Sequence, residues 1–124
     1  MTGPRSGTRT AAQASGGDAE ARATRFLERQ GLEIVARNYR TRFGEIDLIA
    51  RDRGVLVFVE VRLRSSERYG GAAESIGPRK RARIEAAARQ YLARVRPEPP
   101  CRFDVITFDD DEPHWMKGAF DASY

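Results

Sequence analysis

The chain has 124 residues and a net charge of +4, a length that supports one domain with a modest core and excludes two. Cys101 is the one cysteine, which excludes an intramolecular disulfide and a cysteine-rich zinc site and fits a reducing compartment. No segment approaches the roughly 18 consecutive apolar residues of a membrane span, so we expect a soluble, cytoplasmic protein with no membrane partner.

The N-terminal segment, residues 1–17, is predicted to be a disordered tail before a domain over residues 18–124. It has no bulky apolar residue after Met1 and consists mostly of Thr, Ser, Gly, Ala, Arg and Pro. The domain opens with a helix predicted over residues 18–30, with Asp18 as its N-cap and Gly31 after its last turn. Glu20 projects at the edge of the apolar face of this helix, from which its carboxylate can reach the sheet.

Residues 43–64 are the most informative segment, because they predict a β-hairpin with acidic residues inside its arms. Both arms are rich in Ile, Leu, Val and Phe, and Arg53-Gly54 supplies the chemistry of a two-residue turn. Counting back from that turn places Asp47 directly opposite Glu60. Opposed Cβ atoms lie roughly 4.5–5.5 Å apart, and like charges there are destabilising unless a partner such as a divalent cation compensates them.

The face of the hairpin that carries the acids has two interpretations. On a solvated face, Glu45 opposite Arg62 would form an ordinary surface ion pair worth about 0–1 kcal/mol. However, Ile49, Leu56 and Phe58 share this face, which indicates partial cover by other structure and a need for partners to the carboxylates. The opposite face is expected to be an unbroken core face, made of Ile46, Leu48, Ala50, Val55, Val57, Val59, Val61 and Leu63.

The rest of the chain predicts a strand over 32–39, a loop over 64–77, a helix over 78–95 and strands over 102–108 and 113–116. Residues 79–96 contain seven basic residues against the single acid Glu85, which favours a basic face and polyanionic partners. The order αβββαβ predicts an α/β fold with a single mixed β-sheet flanked by helices. The helical crossover predicts a fourth strand parallel to its neighbour.

Several sequence blocks resemble known families. Asp47 and, thirteen residues on, Glu60-Val61-Arg62 resemble the D…ExK arrangement of restriction-endonuclease-like nucleases, with Glu20 in the place of their first-helix glutamate. Residues 17–121 resemble the YraN family of small bacterial proteins, in Gly17-x-x-Glu20-x-x-Ala23, Ala36-Arg37-Asn38-Tyr39, GEIDLIA at 44–50, FVEVR at 58–62, Tyr69-Gly70 and Arg102-Phe103-Asp104-Val105. This resemblance implies a restriction-endonuclease-like core like that of archaeal Holliday-junction resolvases, and metal-dependent cleavage of DNA. Branched and single-stranded DNA are the candidate substrates.

The resemblance implies a metal site. Mg²⁺ or Mn²⁺ suits Asp47 and Glu60, with the backbone carbonyl of Val61 and waters completing the shell, and Glu20 orients a water or binds a second ion. Arg62 stands where the nuclease pattern has a lysine. A guanidinium cannot act as a general base, although it can hold a phosphate or stabilise developing charge.

Four basic residues are assigned to nucleic-acid binding: Arg64, Arg79, Lys80 and Arg83. We expect Lys80 to be a surface lysine in the first turn of its helix. The alternative is that it supplies the missing ammonium, if that helix packs beside the acids.

The other polar and aromatic candidates are weaker. Tyr39 and Tyr69 are expected in the core or at its rim rather than stacked on bases, and His114 in packing or at the surface. Asp104 is either a further acidic member of the site or makes a strand-end hydrogen bond.

Three functions remain open from the sequence. The first is a nuclease, the second a nucleic-acid-binding module of the same fold with weak or lost catalysis. The third is an interaction protein whose acids bind only an ion or a partner. Enzymes that cut junctions treat two strands symmetrically, which favours a homodimer, although the sequence has no heptad repeat.

Overall fold

The computed structural model describes residues 11–63 and 76–121, with the backbone alone for residues 11–17. Arg64 and Tyr69, singled out from the sequence, lie outside these residues, as do residues 1–10. No helix in the described ranges is long and apolar enough to cross a membrane. The elements are α1 (Ala11–Arg29), β1 (Glu33–Arg40), β2 (Glu45–Asp52), β3 (Val55–Leu63), α2 (Pro78–Leu92), β4 (Cys101–Asp109) and β5 (Glu112–Phe120).

The five strands form one mixed sheet in the order β1-β2-β3-β4-β5. β3 and β4 are parallel, and the other three neighbouring pairs are antiparallel. A parallel return needs a crossover, and the segment between β3 and β4 contains α2. The predicted α/β class, a single mixed sheet flanked by helices, is therefore confirmed, and the arrangement is consistent with a restriction-endonuclease-like core.

Each helix packs with a different set of strand residues. Ala23 and Leu27 of α1 join a buried cluster with alternate strand residues such as Leu48, Val57 and Val59. The strand residues that alternate with these point to the other face of the sheet and form a second cluster with α2. This cluster contains Ile49, Phe58 and Phe103 of the strands and Ile84, Ala88 and Leu92 of α2. Because side chains alternate across a strand, the two helices cover opposite faces of the sheet.

Both helices have different ends from those predicted. α1 begins at Ala11 rather than after Asp18, so the predicted tail over 1–17 overlaps its first two turns. The tail was predicted from the lack of bulky apolar residues, but alanine favours a helix without them, and each of Gly16 and Gly17 costs only about 1 kcal/mol in a helix interior. α2 ends at Leu92 rather than at residue 95, because tighter turns follow, in which Arg94 and Val95 donate backbone bonds to carbonyls three residues earlier.

The predicted hairpin register is confirmed from the turn pair Asp52↔Val55 to Leu48↔Val59. The expected core face is broken beyond that point, because Ile46 joins the cluster under α2 whereas Leu48 joins the cluster under α1. Leu63, at the other end of the expected face, is 45% exposed. Leu48 is the last residue of β2, counted from the turn, that pairs regularly with β3. The next residue, Asp47, contacts β3 through its side chain, which accepts a hydrogen bond from the β3 backbone.

Asp104 holds β4 and β5 together and is not a member of the acidic site. Its carboxylate is fully buried and accepts hydrogen bonds from Trp115 Nε1 at 3.0 Å and from the backbone nitrogen of Gly118 at 2.9 Å. Arg102 Nε lies 3.0 Å from the same carboxylate, and its Nη2 lies 3.0 Å from Asp52. Of the two interpretations of Asp104, the hydrogen-bonding one is therefore correct.

Replacing Asp104 by Ala is expected to lower the free energy of unfolding by about 3–5 kcal/mol, because Arg102 and two other donors lose a buried acceptor. Urea denaturation measures the loss. Asp109→Ala at the exposed end of the same strand is the matched control, with an expected change within about 0.5 kcal/mol. Equal stability losses for the two variants would contradict the structural role of Asp104.

Candidate active site

Three acidic side chains from three elements lie together where β2 and β3 leave their regular pairing. Glu20 comes from α1, Asp47 from β2 and Glu60 from β3. Asp47 is central, because its carboxyl group is a hydrogen-bonding neighbour of both Glu20 and Glu60. The structure thus brings together the three carboxylates singled out from the sequence, although Asp47 and Glu60 lie beyond the last regular strand pair, Leu48↔Val59.

The backbone of β3 fixes the position of Asp47. The N–H group of Val61 donates a hydrogen bond to Asp47 Oδ2 at 2.8 Å. This bond crosses from one hairpin arm to the other and takes the place of a ladder bond. Glu60 is the neighbour of Val61 in sequence, so the same bond holds the two carboxylates close to each other.

Burial and mutual repulsion make the cluster electrostatically strained. The Glu60 side chain is 7% exposed, and burial, followed by the charge of Asp47, raises its pKa from 4.5 to about 7. Burial and the charge of Asp47 also raise the pKa of Glu20, against a hydrogen bond from Asn38 that lowers it. The cluster therefore holds more negative charge than its surroundings neutralise, a condition that a bound cation relieves.

Glu60→Gln is expected to stabilise the metal-free protein at pH 8. The folded chain binds the Glu60 proton more tightly than the unfolded chain does, so stability present below pH 4.5 is lost as pH rises through about 7. Glutamine has no proton to lose. At about 1.4 kcal/mol per pKa unit, the variant should exceed the wild type by about 2–3 kcal/mol at pH 8 and match it at pH 4.

Thermal and urea unfolding in EDTA at both pH values measures this difference. Glu112→Gln, at an exposed position on β5, is the control and should not alter the pH dependence. A wild-type protein that gains stability relative to Glu60→Gln between pH 4 and pH 8 would contradict the raised pKa.

Lys80 reaches the acidic cluster from the first turn of α2. Its Nζ lies 3.0 Å from Glu60 Oε2, and Arg62 Nη1 lies 3.8 Å from the same oxygen. Lys80 is an exposed lysine in the first turn of α2, as expected, and α2 also packs close enough to the acids for its ammonium to pair with Glu60, the condition that the alternative interpretation required. The Lys80 side chain remains 44% exposed, so it can contact both Glu60 and a ligand.

The predicted pairing of Glu45 with Arg62 is wrong. Glu45 Oε1 instead accepts a hydrogen bond from Arg40 Nε at 3.1 Å, and these two residues are cross-strand partners between β1 and β2. Arg62 lies near Glu60 instead, because residues two apart on β3 share one face of the strand. Arg79 and Arg83, the other basic residues expected at a nucleic-acid surface, are exposed on α2.

Asn38 is a site residue that the sequence analysis missed. It hydrogen-bonds to Glu20 from β1 and has a φ of 52°, a left-handed conformation that asparagine adopts more readily than most residues. An asparagine inside an apolar strand pattern was the available signal. Its neighbour Tyr39 packs edge-on against Tyr91 with ring centroids 5.3 Å apart, as expected of a core residue, and His114 is exposed on β5.

The donors available to a metal ion are limited but chemically suitable. In the described ranges, no three His, Cys, Asp or Glu side chains are arranged to hold a metal ion together. Asp47 and Glu60 nevertheless offer adjacent carboxylates, and Mg²⁺ typically keeps several waters beside one or two carboxylate ligands. Hard oxygen donors in a site of excess negative charge fit Mg²⁺ or Mn²⁺.

Comparison with known proteins identifies relatives across most of the chain. The sequence profile of "Uncharacterised protein family UPF0102" matches residues 19–108, a range that includes the whole acidic cluster and Lys80. A UPF0102 protein of Janthinobacterium sp. (strain Marseille) is 52% identical over 114 residues, covering 92% of this chain and 93% of the relative. UPF0102 proteins of Cupriavidus taiwanensis and Paracidovorax citrulli are 56% and 54% identical, over 89% and 92% of this chain and 85% and 87% of the relatives.

Proposed function

This chain belongs to the uncharacterised protein family UPF0102, the YraN family, and we propose that it is a metal-dependent endonuclease that acts on DNA. One observation carries the proposal. Two adjacent carboxylates, Asp47 and Glu60, lie beside an ammonium group, Lys80, at the point where two strands diverge. Hydrolysis of a phosphodiester needs these groups: oxygen ligands for a divalent ion and a cation for the charge that develops on the phosphate.

Each residue of the cluster has a role in this proposal. Asp47 and Glu60 would hold Mg²⁺ or Mn²⁺, which would neutralise the scissile phosphate and supply a water that is nucleophilic near neutral pH. The Val61 N–H group keeps Asp47 oriented toward Glu60. Glu20, which interacts with Asn38 and Asp47, would orient a water molecule.

Lys80 and Arg62 supply positive charge next to Glu60, since both approach its Oε2 atom. In the resemblance drawn from the sequence, Arg62 stands where a nuclease has its lysine, and its guanidinium holds its proton throughout. Lys80 contacts the same oxygen of Glu60 from α2 at 3.0 Å. We assign to Lys80 the stabilisation of charge on the phosphate and to Arg62 the binding of a neighbouring phosphate oxygen.

A nucleic-acid-binding module without catalysis is the second candidate. It is favoured by the absence of a complete set of three metal-binding side chains within the described residues. A binding module would use the same DNA-binding surface as the nuclease, because Arg79, Lys80 and Arg83 are exposed on α2 and would contact phosphates. Its affinity for DNA would then depend strongly on salt concentration.

A substrate panel separates the two candidates. Labelled duplex, single-stranded, flap and four-way-junction DNA are incubated with the protein in Mg²⁺, Mn²⁺, Ca²⁺ or EDTA. We expect cleavage of at least one non-duplex substrate in Mg²⁺ or Mn²⁺ and none in EDTA. Binding without cleavage in any metal would support the non-catalytic module, and the absence of DNA binding at low salt would contradict both candidates.

A further inference from the structure

A pocket of about 330 Å³ lies beside the acidic cluster, between the turn over residues 41–44 and the start of α2. Arg40, Arg42 and Phe43 line it from the turn side, and Lys80 and Arg83 line it from the helix. Its volume is at the lower end of the roughly 300–1,000 Å³ typical of small-ligand sites. It therefore suits a single compact group rather than a double helix.

The pocket has a defined shape because the turn is closed by its own hydrogen bonds and packs directly on α2. Thr41 Oγ1 accepts hydrogen bonds from the backbone nitrogens of Phe43 at 3.0 Å and Gly44 at 3.1 Å. A Cβ atom at Gly44 would fall on the backbone carbonyl of Arg83, so only glycine permits this approach. The turn thereby holds Phe43 and Arg42 at a set distance from the helix.

Phe43 presents an aromatic face at the edge of this pocket. It is 51% exposed, and the guanidinium of Arg42 lies 5.6 Å from the centroid of its ring. An exposed aromatic ring with an adjacent cation is typical of surfaces that stack unpaired bases. A base within a duplex is already stacked on both sides and is not available to such a ring.

The pocket is also lined by two cations that have no ion-pair partner among the described residues. Glu45 pairs with Arg40, and Glu60 pairs with Lys80. Arg42 and Arg83 form no ion pair with any residue of the described ranges 11–63 and 76–121. Two unpaired guanidinium groups on either side of a pocket are suited to a phosphate group.

Lys80 links the pocket to the acidic cluster, because it lines the pocket and lies 3.0 Å from Glu60. We propose that the pocket binds one unpaired nucleotide of a DNA strand, with its base on Phe43 and its phosphate between Arg42 and Arg83. The inference rests on the proposed function for the identity of the polymer. A pocket of this kind would make the protein selective for DNA that has an unpaired nucleotide next to the cleaved bond.

Binding measurements in EDTA test the pocket without any requirement for cleavage. The probes are a blunt DNA hairpin and the same hairpin with a short single-stranded extension that carries 2-aminopurine, a base whose fluorescence reports stacking. We expect the wild type to bind the extended hairpin about tenfold or more tightly than the blunt one, with a fluorescence change.

Phe43→Leu should remove most of that preference and the fluorescence change, whereas Phe43→Trp should retain both. Thermal unfolding confirms that these exposed substitutions leave the fold intact. Arg83→Gln should reduce the slope of log affinity against log salt by about one. Arg94→Gln, which removes the same charge from an exposed residue just beyond α2 and outside the pocket, should reduce it less.

Equal binding of the two hairpins by the wild type, or an unchanged preference in Phe43→Leu, would overturn the inference. Tighter binding of an RNA extension than of the DNA extension would overturn its assignment to DNA. A preference that depends on Phe43 in a protein that cleaves no DNA would support the pocket and contradict the nuclease proposal alone. The two proposals can therefore fail separately.

Discussion

Asp47→Asn is expected to reduce metal-dependent DNA cleavage by about 10³-fold, the scale of losing a principal electrostatic group of an active site. Asparagine keeps an oxygen that can accept the hydrogen bond from the Val61 N–H group, so the strand geometry should survive. It removes the negative charge that would hold the metal ion against Glu60. Single-turnover cleavage in Mn²⁺ measures the loss, and anisotropy in EDTA should show DNA binding close to that of the wild type.

Glu33→Gln is the matched control for Asp47→Asn. Glu33 is an exposed carboxylate on β1 whose partner is Arg51, at 3.0 Å on the surface. The same loss of charge there should leave cleavage within about twofold, because an exposed pair contributes little to the fold. Similar cleavage by the two variants would contradict the assignment of the metal to Asp47.

Lys80→Ala is expected to reduce cleavage by about 10²-fold, through the loss of the ammonium beside Glu60. Since the Lys80 side chain is partly exposed, the variant should fold normally. In this background Arg62→Lys should restore part of the activity, because it returns an ammonium to the position next to Val61 on β3.

Lys117→Ala provides the control for the charge change. Lys117 is the other lysine of the chain and lies 4.6 Å from the Trp115 ring on β5. Its removal should leave the cleavage rate unchanged. A Lys80→Ala variant as active as Lys117→Ala would show that the contact with Glu60 has no part in the reaction.

The hairpin was predictable from the sequence because its determinants are local. The Arg53-Gly54 turn and the alternation of apolar residues set the register, and the observed pairs from Asp52↔Val55 to Leu48↔Val59 agree with it. The same register predicted that Asp47 and Glu60 lie close together. The register could not predict the partner of Glu45, because that partner depends on where β2 separates from β3 and on the competing residue Arg40 on β1.

The groups that complete the site depend on contacts between distant parts of the chain. Pro78 correctly marked the start of α2, but the distance from Lys80 to Glu60 is set by how the crossover packs on the sheet. The same packing explains Gly44, whose role is visible only once α2 lies against the turn. Asp104 was ambiguous because one buried carboxylate in a strand suits either a site or a hydrogen-bond network.

The most direct test of the proposed activity is a side-by-side cleavage assay of wild type, Asp47→Asn and Glu60→Gln, purified identically, on a flap DNA in Mn²⁺ and in EDTA. We predict that the wild type cleaves the flap DNA in Mn²⁺ but not in EDTA, and that each variant cleaves it in Mn²⁺ at a rate lower by about 10³-fold or more. Cleavage at equal rates by all three proteins would attribute the activity to a contaminant and contradict the assignment of a metal-dependent active site to Asp47 and Glu60.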